Sequence, residues 1–347
     1  MATLSPYVPS KHQAAGHDGC LTLEDGSLFI KLTNSQEIDF YAKTQADDSD
    51  GNERIPGTKL VDWMPLFMGT LSETDVNSVA APGHIHGPSQ PTDKQYVVLG
   101  NCYSGYAHPS ILDIKLGAKL TDDEVTAPEK IERLQKVSES TTSGSHNFRI
   151  CGMKVYNGES VDKPNELYEK MNDSSVSINS SGEKDNYLEF NKFYGRSLDS
   201  KNIKDGIRLF FTHHLKKVPN GQEIVIRLLD RFHKRLQLLY NCLLDYEVRI
   251  FSGSLLFIYE NDLQKWQTAL ADEEEYYQTY DPLIRECNLA DDDEEEEEEE
   301  APVSSLNIID FAHAKYVPGQ GHDENILQGI ENLIDIFDQL LKEEESI

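Results

Sequence analysis

In the stretch Pro109-Ser-Ile-Leu-Asp113-Ile-Lys115-Leu-Gly117, a carboxylate and an amine stand two residues apart among apolar neighbours. On a strand, alternate side chains share a face, so Asp113 and Lys115 point one way while Leu112, Ile114 and Leu116 point the other. A charged pair above an apolar floor suits phosphoryl transfer. The carboxylate can orient or deprotonate a hydroxyl, and the amine can neutralise the phosphoryl group as it moves. Taken alone, such a pair reads first as a salt bridge on a half-buried strand. The rest of the chain tips the balance.

Several other residues fit the same chemistry. Lys31 ends an apolar strand that follows a glycine-rich hairpin, with Gly16 and Gly19 before it, Leu21 and Leu23 alternating, and an Asp25-Gly26 turn. Glu37 opens a helical segment six residues later. A strand lysine paired with a helix glutamate is the kinase arrangement, although a surface lysine and a dipole-favoured glutamate explain the two residues equally well. Asp310 closes the apolar run Leu306-Asn-Ile-Ile and precedes Phe311, where kinases hold Mg²⁺ against nucleotide phosphates. Gly100, Asn101 and Cys102 follow the strand Gln95–Leu99, at a natural hinge whose backbone could hold an adenine. Pro128 opens a helix on which Lys130, Arg133 and Lys136 fall within about 120° of one another. Such a stripe is commonly a solvated face. In a chain this acidic, however, any polyanion site has to be built locally. His84-Ile-His86 stands among Gly and Pro without further ligands and reads as a loop rather than a metal site.

The elements that must position these residues follow from length and pattern. A chain of 347 residues has room for two domains or one two-lobed body. Its net charge of −29, with acidic residues unbroken from Asp291 to Glu300, argues against nonspecific binding to nucleic acid or anionic membrane. Five scattered cysteines without C-x-x-C spacing suit a reducing compartment. With no secretory pattern and no long apolar run, a soluble intracellular protein is expected. Phe148–Tyr156 and Ser254–Tyr259 read as strands. The longest helical signal covers Gln222–Phe251, with Val225, Leu228, Phe232, Leu236, Leu239 and Leu243 facing a core. A closing amphipathic helix runs from Asp323 to about Lys342. The polar stretches 157–185 and 271–304 are expected to lack order.

In this order the pieces resemble the inositol polyphosphate kinase family, and within it the fungal multikinases. The resemblance rests on Pro109…Asp113-x-Lys115-x-Gly117, Ser254-Leu-Leu-Phe-Ile-Tyr-Glu260 and Ile309-Asp310-Phe-Ala-His313, with Thr141–Ser145 and Phe148–Met153 in support. It implies an α+β, two-lobed fold distantly similar to protein kinases. An N-terminal lobe would cover 1–101 and a C-terminal lobe 102–347, with a small helical substrate-binding insertion near 128–138 and a disordered acidic insert over 271–304. It also implies ATP and Mg²⁺ as cofactors and inositol polyphosphates as substrates. Lys31 would contact the nucleotide phosphates, Gly100, Asn101 and Cys102 the adenine, and Asp310 with Ser254 the metal. Asp113 would sit where nucleotide and inositol meet, and Lys115 would face the transferring group. Lys130, Arg133, Lys136, Lys192 and His313 would hold the substrate phosphates.

The implied activity is phosphorylation of inositol tris- and tetrakisphosphates at the 6- and 3-hydroxyls, ending at pentakisphosphate. Trisphosphate 3-kinase and hexakisphosphate kinase are the enzymatic alternatives. The short span between Gly117 and Gly152 suits an open, less selective site. A rival from another class is a nuclear transcription-regulatory scaffold, with the acidic insert docking basic or transcription-factor partners. Nucleus and cytoplasm are the implied locations, without direct nucleic-acid or membrane binding. A eukaryotic protein kinase is disfavoured, since neither H-R-D-x-x-x-x-N nor G-x-G-x-x-G occurs. Three positions depart from the family pattern: Gly100 replaces a frequent hinge acid, Gly253 replaces a serine, and Glu139 lies near where some relatives place a cation against the substrate.

Overall fold

The computed structural model describes residues 7–10, 19–46, 55–72, 94–164, 171, 173–180, 185–271 and 303–347. The first sheet is built from β1 (Tyr7–Pro9), β2 (Leu21–Leu23), β3 (Leu28–Asn34), β4 (Phe67–Leu71) and β5 (Lys94–Gly100), in the order β1-β2-β3-β5-β4. All its pairings are antiparallel. Gly26, at φ +77, makes the tight reversal between β2 and β3 that Asp25-Gly26 foretells. Helix α1 (Ser35–Ala46) follows β3 directly. Asn34 caps it, its Oδ1 accepting the Glu37 amide at 3.0 Å.

The second sheet is larger and also antiparallel. It uses β6 (Pro109–Leu116), β7 (Phe148–Gly158), β8 (Val176–Ser180), β9 (Asn186–Phe190), β11 (Ser254–Glu260) and β12 (Ser304–Ile309), ordered β12-β11-β6-β7-β9-β8. Helices α2 (Pro128–Glu139) and α3 (Thr142–His146) lie between β6 and β7. Helices α4 (Lys192–Ser197), α5 (Ile203–Leu215) and α6 (Gly221–Leu244) follow β9. A two-stranded ribbon pairs β10 (Val248–Ile250) with β13 (Ala314–Tyr316), while α7 (Leu263–Ala271) follows β11 and α8 (Glu324–Glu345) ends the chain.

The alternation in β6 organises this body. Leu112, Ile114 and Leu116 are fully buried against the main core, and Asp113 and Lys115 face the other side. Each such apolar side chain contributes about 1.5–3 kcal/mol by leaving water. β11 repeats the pattern in register: Leu255, Phe257 and Tyr259 point toward the helices, while Ser254 lies opposite Lys115 and Leu256 opposite Asp113. Phe257 stacks on Phe337 of α8 at 5.6 Å and meets Phe232 of α6 edge-on at 5.2 Å. The helices therefore cover one sheet face and leave the charged face to a cleft.

Three expectations change. The helix expected over 222–251 stops at Leu244, and Val248–Ile250 is a strand. Its apolar residues continue the helical rhythm but find β-partners in Ala314–Tyr316, which lie far off in sequence. The stretch 157–185 is not uniformly without structure, since Val176–Ser180 forms an edge strand on β9. Its exposed face is polar, which masked it. Between Arg196 and Gln222, where no element is expected, α5 supplies Phe210 and Phe211 to the core. His84, His86, residues 14–18 and all but the two ends of 271–304 lie outside the described residues. Among those described, no helix is long and apolar enough to cross a membrane.

Gly117 ends β6 at φ +88, and a Cβ there would come within 2.3 Å of the Asn325 amide nitrogen. That asparagine bonds the backbone of Ala118 and Lys119, tying α8 to the chain leaving β6. Gly117→Ala is therefore expected to cost about 2–3 kcal/mol in thermal or urea denaturation. Gly26→Ala, with nothing within 4 Å, is expected to lose only about 1 kcal/mol.

Candidate active site

The cleft lies between the two sheets, and its charge is ordered around one carboxylate. Asp310 follows β12 with φ +68, a left-handed conformation that non-glycine residues seldom adopt. Its Oδ1 accepts the Lys31 ammonium at 2.6 Å, and its Oδ2 lies 3.7 Å from that of Lys115. Lys31 comes from the first sheet and Lys115 from the second. Lys31 also meets Glu37 at 3.1 Å, so the strand–helix ion pair forms. Glu37 is fully buried and accepts the Phe311 amide at 2.9 Å and the Thr33 hydroxyl. Burial works against the charge on Lys31, but Asp310 and Glu37 outweigh it and raise its pKa above 10.5.

Asp113 and Lys115 share a face, yet they do not pair as an isolated Asp-x-Lys would. Lys115 donates to the Ser252 carbonyl at 2.6 Å and to Ser254 Oγ at 3.2 Å, and its ion pair is with Asp310. Asp113 is 5% exposed, and its Oδ1 is buried without a hydrogen-bond partner. Burial pushes its carboxyl up to about 6, against the pull of Lys115 and with the aid of Asp310. Ser254 is fully buried beneath Lys115. Its hydroxyl oxygen accepts from the Lys115 ammonium and so helps to hold that cation. Gly253 is explained as well, because a Cβ there would come within 2.6 Å of Ile250.

Two cavities meet at these charges. One, of about 660 Å³, is lined by Phe29, Lys31, Tyr41, Leu99, Gly100, Asn101, Cys102, Leu256, Asp113 and Asp310. Its apolar walls suit a flat base at one end and its charges suit phosphates at the other. The hinge is less open than its sequence suggests. The Gly100 amide donates to Leu66 O and the Asn101 amide to Ser27 O, so neither is available to a base. The Cys102 thiol, raised to about 12 by burial, stays protonated.

The second cavity, of about 1400 Å³, shares Lys31 and Asp310 and adds Lys115, Lys130, Arg149 and His313. Burial, with Lys130 nearby, lowers the His313 pKa, so its ring is neutral at pH 7. Arg149 escapes sequence reading. It sits opposite Lys115 on β7, is 8% exposed, and is oriented by Ser143 Oγ at 2.7 Å. Lys130 enters this cavity, but the rest of its stripe does not. Lys136 is exposed and bonded to Glu132 at 2.6 Å, and Arg133 is exposed too. Lys192 opens α4 at the surface, its ammonium 5.6 Å from the Phe193 ring, and lines neither cavity. The helix has a cleft edge and a solvent edge, and residues three apart fall on different ones.

A divalent cation fits this arrangement through its donors. Among the described residues no cluster of three His, Cys, Asp or Glu forms a self-sufficient metal site. An ion held by Asp310, with Asp113 lining the same cavity, would need phosphate and water oxygens to complete its shell, as Mg²⁺ commonly does. Because the native Asp113 carboxyl binds its proton more tightly than an unfolded one, stability falls as pH rises from about 4 to about 6 and stays lower above. The penalty reaches at most about 3 kcal/mol. Asp113→Asn is therefore expected to melt above wild type at pH 7.5, with the gain shrinking by roughly half at pH 5 in the metal-free protein.

Comparison with known proteins places this geometry. The family model described as inositol polyphosphate kinase matches residues 96–338. The inositol polyphosphate multikinase of Saccharomyces cerevisiae is 37% identical over 97% of this chain and 99% of its own length. That of Schizosaccharomyces pombe is 29% identical over 96% and 97%. The crystal structure of inositol phosphate multikinase Ipk2 from S. cerevisiae, in complex with ADP and Mn²⁺, superposes with a TM-score of 0.66 at 35% identity, covering 91% of this chain and all of that one. A likeness that runs nearly end to end and includes both sheets leaves one reading: the chain belongs to the inositol polyphosphate kinase family.

Proposed function

We propose that this protein is an ATP-dependent inositol polyphosphate multikinase. It phosphorylates inositol 1,4,5-trisphosphate and tetrakisphosphate at the 6- and 3-hydroxyls and ends at inositol pentakisphosphate. The observation that carries the reading is the meeting of two cavities at Lys31 and Asp310, one apolar and reaching Asp113, the other lined by cations that include Lys115. A polyanionic acceptor is drawn there despite a chain charge of −29, because Lys31, Lys115, Lys130 and Arg149 make the cleft locally positive.

Each residue then has a physical task. Lys31 holds the nucleotide phosphates, and Glu37 keeps it in place. Lys130 and Arg149 bind acceptor phosphates, while neutral His313 can accept or donate a hydrogen bond to the acceptor. Asp113, raised toward neutrality and lacking a partner on one oxygen, orients the attacking hydroxyl and can take its proton. Lys115 balances charge building on the transferred group. Mg²⁺, held by Asp310, would neutralise phosphate oxygens and align the donor with the acceptor. Most of the acceleration comes from positioning and charge.

An acceptor cavity of about 1400 Å³ supports more than one orientation of the inositol ring, which favours a multikinase over a strict 3-kinase. Near full-length likeness to two multikinases supports the same choice over a hexakisphosphate kinase. We also propose that the acidic run Asp291–Glu300 docks basic protein partners, in nucleus and cytoplasm, as a second role compatible with the first.

The test is incubation with ATP, Mg²⁺ and inositol 1,4,5-trisphosphate, with products resolved by isomer. Tetrakis- and pentakisphosphates are expected, and no transfer to any inositol phosphate would sink the proposal. Asp113→Asn and Lys115→Met are each expected to lower kcat about a thousandfold while the protein stays folded. Deleting 288–302 should leave turnover unchanged, and only partner binding should suffer.

A further inference from the structure

Helix α2 carries Lys130 and Leu134 into the acceptor cavity, yet Ser138 is its one buried residue. Packing on the body therefore does little to fix its placement. The helix is held through the loop that precedes it. Ser138 Oγ bonds Ala118 O at 2.7 Å, and Ser252 Oγ bonds Leu120 O at 2.9 Å. At the far end of that loop Asp122 is 4% exposed. Its carboxylate accepts the Glu124 amide at 3.2 Å and its carbonyl the Thr126 amide at 3.0 Å, shaping the turn into α2.

One cation closes this turn. The Lys315 ammonium lies 2.6 Å from Asp122 Oδ2 and 2.8 Å from Glu124 Oε2. Lys315 stands on β13, two residues beyond the cavity-lining His313 and five beyond Asp310. A short segment thus links the donor side of the cleft to the loop bearing the acceptor helix. The same ammonium offsets two carboxylates beside a cavity built for a polyanion. Asp122 is near enough to His313 to oppose the lowering of its pKa.

We infer that Lys315 is a positioning residue that sets the placement of α2, and with it the orientation in which the acceptor presents its hydroxyls. This rests on the reading of α2 as an acceptor-binding element. Without Lys315, the Asp122–Glu124 turn loses its cation, α2 shifts on its loop, and the negative charge left near His313 is uncompensated. The nucleotide cavity shares none of these contacts.

The experiment compares Lys315→Met, Lys315→Arg and Lys130→Met in the full chain, with separate KM values and product isomers. Lys315→Met is expected to raise the KM for inositol 1,4,5-trisphosphate about fivefold or more while leaving the KM for ATP within about twofold. It should also change the ratio of 6- to 3-phosphorylated tetrakisphosphate, and Lys315→Arg should restore both. An unchanged KM and product ratio in Lys315→Met, alongside a raised acceptor KM in Lys130→Met, overturns the inference alone. A Lys130→Met variant with wild-type acceptor KM overturns the reading beneath it. A parallel rise in both KM values with a lower melting temperature makes Lys315 a general structural residue and also overturns it.

Discussion

One carboxylate shared between two lysines from different sheets holds the cleft together. Asp310 is bonded to Lys31 at 2.6 Å and lies 3.7 Å from Lys115. Without it, two ammonium groups would face each other across a partly dry gap, at a cost rising steeply as the local dielectric falls. With it, the cations are held where an anionic ligand would meet them. The left-handed backbone of Asp310, and of Ser252 beneath Lys115, is the local strain that this placement requires.

The same segment locks the first helix to the second lobe. Phe311 stacks on Phe40 at 4.8 Å and meets Tyr41 edge-on at 5.1 Å, and Tyr316 stacks on Phe40 at 5.2 Å. Asn34 and Gln36 bond the carbonyls of Ala312 and Ala314. Aromatic pairs add about 0.5–1.5 kcal/mol each beyond burial. Glu37 is therefore fixed from two sides, by its own helix and by the Phe311 amide, which holds it where it pairs with Lys31. Residues 310–316 thus carry an acid lining both cavities, a histidine lining the second, the lysine paired with the α2 loop and the aromatic lock on α1.

Much of this was legible in the sequence, for physical reasons that are local. Strand parity put Asp113 and Lys115 on one face and their apolar neighbours on the other, and the helices do cover that apolar face. Asp25-Gly26 marked the hairpin, and the spacing of Lys31 and Glu37 allowed their pair. Less legible was whatever depended on a distant partner. The 222–251 pattern overran its helix because Val248 and Ile250 are apolar in either structure, and only β13 makes them a strand. Arg149 carried no signal, since its value lies in standing opposite Lys115. The stripe Lys130, Arg133, Lys136 was visible, but which member enters the cleft depends on how α2 is docked.

By itself the sequence determined the periodicities, the turn and cap residues, and the presence of charges that a phosphoryl-transfer site requires. These are properties of a few neighbouring residues, so spacing alone expresses them. Tertiary structure decided the partners. It gave Lys115 to Asp310 rather than to Asp113, buried one oxygen of Asp113 without a mate, closed the Gly100 and Asn101 amides, and placed Arg149 in the cleft. Each of those outcomes depends on register and lobe packing between residues far apart in the chain, and such contacts have no fixed spacing to read.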